Sequence, residues 1–78
     1  MKMNMYVIND VECGDFSPIF EQKNDIVCGR LFEKNPLKSY QKLLCVGTHN
    51  LEDNVIVLFD SPRVVELNSI EVDEHGAE

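Results

Sequence analysis

No apolar run in this 78-residue chain approaches the roughly 18 residues needed to cross a bilayer as a helix. The longest, 43–47 and 55–59, hold five residues each. The opening Met1-Lys2-Met3-Asn4-Met5 has one positive charge and no apolar h-region. It does not read as a signal peptide, so the protein is expected in the cytoplasm of the cell that makes it. There is no C-x-x-C: Cys13, Cys28 and Cys45 are odd in number and far apart. That spacing signals neither a zinc site nor a redox pair, and the three thiols read as small buried hydrophobes. The four glycines are scattered, and neither G-x-x-x-x-G-K-[ST] nor G-x-G-x-x-G occurs, which removes the common phosphate-binding loops.

Histidine is also scarce. His49 and His75 are the only two, and no serine nucleophile motif accompanies His49. Cys45 lies four residues before His49, but in a strand those side chains do not stay adjacent, so no Cys/His nucleophile pair is expected. Glu52-Asp53 reads as a solvated turn, with too few oxygens around it for a cation. The expectation is therefore no catalytic residues, no metal and no cofactor.

What is present suits one small domain. A 44% hydrophobic fraction is ordinary for a folded chain. A core of this size yields a net stability on the order of 3–5 kcal/mol. Self-association would add to it, and a homodimer stays open. The net charge of −7 is unevenly placed. Residues 1–42 hold six bases (Lys2, Lys23, Arg30, Lys34, Lys38, Lys42) and six acids, whereas residues 43–78 hold eight acids and the single base Arg63.

Met5 to Ile8 is apolar and partly β-branched and stops at Asn9-Asp10, as a strand does. Cys13-Gly14-Asp15 is a turn signal. Phe16 to Phe20, broken by Pro18, reads as a loop with a short extended piece. Asn24 is a suitable helix cap and Asp25 suits a first turn. Val27/Leu31 and Cys28/Phe32 fall at i, i+4 and predict an apolar stripe on a helix that ends at Asn35-Pro36. Gly29 inside that helix points to close approach to the sheet. Tyr40 to Val46 reads as a second strand stopping at Gly47. Residues 48–54 read as a polar link, Val55 to Phe59 as a third strand broken by Asp60-Ser61-Pro62, and Arg63 to Leu67 as a fourth, short one. The order β-loop-α-β-β-β predicts an α+β fold: a small, mostly antiparallel sheet of three to four strands with one helix on one face. The domain is expected over 1–68, with 69–78 an acidic, frayed C-terminal tail.

Arg30, Lys34, Lys38 and Lys42 recur every four residues, with Tyr40 among them. Pro36 interrupts any continuous helical stripe, so the bases form at best a broken patch. Such a patch could follow a phosphate backbone, and Tyr40 could stack on a base. The plainer reading is an ordinary solvated surface. The acidic second half would repel a nucleic acid unless it faces away, and the tail could instead compete for a basic surface on this protein or a partner.

Several features together resemble a known family. Tyr6-Val7-Ile8-Asn9-Asp10 is a strand closing on an aspartate. Phe16 to Asp25 is a Pro-aromatic stretch followed by a polar helix start. Arg30-Leu31-Phe32, the Tyr40–Gly47 strand and the hairpin running into Pro62-Arg63 follow in order. Over residues 5–67 the chain resembles the small nonstructural protein of gokushoviruses, single-stranded DNA phages of the Microviridae. Cys28-Gly29 departs from it where many members have a small residue such as alanine. The resemblance implies an accessory role in single-stranded DNA genome replication in the host bacterial cytoplasm. The protein would act by non-covalent binding to single-stranded DNA or to a phage or host replication protein. DNA contact would fall to Arg30, Lys34, Lys38, Tyr40 and Lys42. The alternative is an acidic protein–protein interaction module, homodimeric or otherwise, that modulates a host or phage factor.

Overall fold

The computed structural model describes residues 1–66. Among these, the chain forms β1 (Lys2–Asp10), β2 (Asp15–Phe16), β3 (Phe20–Gln22), α1 (Asp25–Arg30), β4 (Gln41–Asn50) and β5 (Val55–Val64). All strand pairings are antiparallel. The order across the sheet is β2-β1-β4-β5, and β3 pairs with β1 further along the edge that β2 occupies. This is an α+β architecture with five strands, two of them very short. No helix among the described residues is long and apolar enough to cross a membrane.

The core follows from strand alternation. Phe20, Tyr6, Cys45 and Arg63 stand in one cross-strand row, and cross-strand partners share a face. The rings of Tyr6 and Phe20 lie with centroids 5.9 Å apart. Tyr6, Cys28, Leu43, Cys45 and Val65 form the buried cluster, with Ile8, Phe20, Phe32 and Leu37 packed against it. The adjacent row, Glu21, Met5, Gly47 and Leu58, points to the opposite face. Cys28 and Cys45 are buried as expected, but Cys13 is exposed, because it sits in the turn after β1, where nothing covers it.

α1 starts as the sequence predicts. The Asn24 side chain accepts from the Val27 N–H at 2.9 Å, and Asp25 occupies the first turn. It ends a turn early, at Arg30. Residues 31–32 follow as a turn and 33–35 as a bend, and Leu31 is 50% exposed. The predicted Val27/Leu31 stripe is not a buried one. Only Cys28 of the helix is fully buried, while Phe32 packs on the cluster from the turn. Gly29 one residue before the helix end and Asn35-Pro36 beyond it give little support for a further turn.

Three predicted breaks are not ends of strands. Gly47 lies inside β4, opposite Met5 on one side and Leu58 on the other. A Cβ there would collide with the Val57 carbonyl oxygen and meet Met5 Cε at 3.0 Å and Leu58 Cα at 3.1 Å. The glycine is therefore required by close approach of three strands and does not stop one. Thr48, His49 and Asn50 are strand residues paired on both sides, and only 51–54 turn. The Asp60-Ser61-Pro62 break is a bulge. Pairing jumps from Gly47↔Leu58 to Cys45↔Arg63, so residues 59–62 oppose Val46 alone. Pro62 lacks an N–H and fits where the ladder is interrupted. The predicted third and fourth strands are thus one bulged strand. The expected tail, 69–78, and the end of the expected domain lie outside the described residues.

Candidate interaction surfaces

The basic series lies along the path from the end of α1 to the start of β4. Arg30 is the last helical residue, Lys34 and Lys38 sit in the connection, and Lys42 is the second residue of β4, opposite Asn9. All four are exposed. None of them forms an ion pair among the described residues; the ion pairs there are Met1–Glu52, His49–Glu21 and Arg63–Asp25. Tyr40 is half-buried, and its carbonyl accepts from the Val11 N–H at 2.8 Å. The end of the connection is fixed locally. Gln41 N–H donates to the Lys38 carbonyl at 2.9 Å, and the Gln41 side chain accepts from the Lys38 N–H at 2.9 Å. Lys38, Tyr40 and Lys42 therefore occupy one ordered corner, with Arg30 and Lys34 on its approach.

Arg63, one of three bases outside this series, has a structural partner. Its guanidinium donates to both Asp25 oxygens, at 2.7 and 3.2 Å. Asp25 also accepts from the Tyr6 hydroxyl at 2.7 Å, and the Asn4 amide donates to that hydroxyl at 3.0 Å. The guanidinium, assisted by the phenol, holds the Asp25 carboxyl below the usual range against the opposing effect of burial. Burial, and the Asp25 carboxylate beside it, push the Tyr6 phenol up. Burial pushes the Cys28 thiol up to about 12, so it stays protonated and unreactive near neutrality. This network ties β1, α1 and the end of β5 together. It belongs to the scaffold. Among the described residues, no group of three or more His, Cys, Asp and Glu is placed to hold a metal ion.

The second surface was hidden from composition. All ten residues of β5 are exposed, although the strand pairs with β4 along one edge. Val55 to Phe59 is an uninterrupted apolar run with exposures from 37% at Phe59 to 64% at Leu58. It carries no charge and no proline. The sequence shows this run plainly, but its β-branched residues look the same in a buried strand and in an open one. Only the strand order reveals that β5 is an edge among the described residues.

A third group unites residues distant in sequence. His49 Nδ1 lies 3.0 and 3.1 Å from the two Glu21 oxygens, and Nε2 lies 2.7 Å from Asn54 Oδ1. Glu21 reaches His49 across β1, a proximity that no sequence spacing announces.

Compared with family models, curated proteins and solved structures, the chain matches none.

Proposed function

We propose that the protein is a non-catalytic binding protein whose principal contact surface is the outer edge of β5, and that its first partner is a second copy of itself. The observation that carries this reading is a ten-residue edge strand exposed throughout, five of whose residues are consecutive apolar ones. Natural edge strands are blunted by charges, prolines or bulges. In β5 those devices lie toward its far end: the register shift takes in residues 59–62, with Asp60 and Pro62 among them, and Val55 to Leu58 carry none. A two-fold axis at Val57 would set Val55 against the partner's Phe59 and Ile56 against the partner's Leu58, apolar to apolar at each position. That is the self-complementarity an isologous interface needs. The chain carries −7, so two copies meet with least repulsion along an uncharged run. Light scattering over a concentration series tests the reading. Mass should rise toward twice 8.9 kDa for the native chain and stay monomeric for Val57→Lys, with an unchanged circular dichroism spectrum. A native chain that is monomeric at every concentration overturns it.

A second reading has its own support in the exposed bases Arg30, Lys34, Lys38 and Lys42 and the ordered corner at Tyr40. In it the protein is a phage nonstructural accessory factor of single-stranded DNA genome replication, working in the host bacterial cytoplasm. It binds single-stranded DNA or a replication protein. The resemblance of residues 5–67 to the gokushovirus protein supports it. In either reading α1 serves as the cover of the Tyr6–Cys45 face, which the position of Cys28 in the core cluster supports. Fluorescence anisotropy with a labelled oligonucleotide across a salt series separates the two.

A further inference from the structure

We infer that His49 is a proton-operated latch on the hairpin that launches β5. The imidazole sits in β4 between Met3 of β1 and Ile56 of β5. Its side chain is only 14% exposed. Both ring nitrogens face oxygen acceptors: the Glu21 carboxylate from β3 and Asn54 Oδ1 from the turn. A neutral imidazole has one N–H to donate, and the imidazolium has two. Only the protonated ring satisfies both acceptors as they stand. Asn54 is also the one described non-glycine residue in the left-handed region, at φ 57°. The contact thus bears on the residue that turns the chain into Val55.

The charged surroundings leave Glu21 as the counter-ion. Met3 and Ile56 are uncharged. Lys2 stands one position further along β1, opposite Asn50. Glu52 is engaged by the Met1 amine at 2.9 Å, and Asp53 accepts from the Val55 N–H at 3.1 Å. The bonds to Asn54 and Glu21 hold His49 protonated above its ordinary value.

When the proton leaves, one partner must give way. Nδ1 keeps its hydrogen for the carboxylate, as the stronger acceptor. Nε2 then presents a lone pair to Asn54 Oδ1. The Asn54 amide must rotate to offer its NH2 group, or the contact opens. Either outcome changes the 51–54 turn at the base of β5. The latch is closed below the His49 midpoint, which its partners raise, and releases as pH rises through it.

Proton NMR of the full chain, with His75→Gln leaving one imidazole, tests this. The His49 midpoint should lie above about 6.5 and move down toward that value in both Glu21→Gln and Asn54→Ala. The Asn54 side-chain amide and the Val55 N–H should shift with the same midpoint, and the Val55 response should vanish in Asn54→Ala. Circular dichroism confirms that each variant is folded. A His49 midpoint at or below about 6.5, or Asn54 and Val55 signals that stay flat through it, overturns the inference.

Discussion

The two edges of the sheet are built in opposite ways. On the β1 side the edge is divided between β2 and β3, two and three residues long, with Pro18 in the gap between them. Asp15 and Glu21 add charge there. On the β5 side the edge is ten residues long and opens with five apolar residues in a row. The first edge gives another chain little to pair with; the second gives a template of backbone donors and acceptors flanked by apolar side chains.

The contrast can be pressed hardest by comparing an interior residue with an edge residue. Tyr6→Ala removes the largest fully buried side chain and should cost about 3–5 kcal/mol, which is close to the whole stability of a domain this size. Leu58→Ser, at an exposed edge position, should leave stability within about 0.5 kcal/mol by urea denaturation of the monomer. A large loss at Leu58 would mean that β5 belongs to the core. Next comes Gly47→Ala, which forces a methyl group against the Val57 carbonyl and should cost about 1–3 kcal/mol, seen as a lower denaturation midpoint. Loss of the β4–β5 ladder but not the β1–β4 ladder by amide exchange would show that the glycine serves the open edge in particular.

Smaller again is Asp25→Ala, which releases Arg63 and the Tyr6 hydroxyl. Both carboxylate and guanidinium are partly exposed, so the expected cost is about 1 kcal/mol. The pH dependence has a defined sign. The Asp25 carboxyl is held low in the folded state, so its contribution is complete above the unfolded value near 3.8 and fades as acid drives pH down through the folded value. His49 is the reverse case. Its midpoint is raised on folding, so its contribution is complete below about 6.5 and is lost as pH rises through the folded value. The smallest effect concerns the basic corner. If Arg30, Lys34, Lys38 and Lys42 each contact a phosphate of single-stranded DNA, log K against log salt should have a slope of about −3. Lys38→Ala should reduce it by about 0.7. A flat salt dependence, or no binding at low salt, removes DNA from the account and leaves the β5 edge alone.

The sequence made some of this legible and not the rest, for local reasons. The Asn24 cap, the apolar start of β1 and the Val55–Phe59 strand carry signals within a few residues, and each stands where those signals put it. The shortened helix was missed because Val27/Leu31 spacing marks a stripe whether or not a turn is helical. Gly47 and Pro62 were misread as strand ends, since a close approach and a bulge draw on the same residues as a stop. Neither the His49–Glu21–Asn54 group nor the Asp25–Arg63 pair was visible, because the partners are 28 and 38 residues apart for Glu21–His49 and Asp25–Arg63. They meet only through the order of the strands.

Amide hydrogen exchange at Val55 to Phe59, followed as a function of protein concentration, tests the open edge most directly. Pairing with a second copy predicts that these amides exchange quickly in dilute solution and become protected as concentration rises, while the β1 amides are protected throughout. Protection at 55–59 that is the same at every concentration would contradict it.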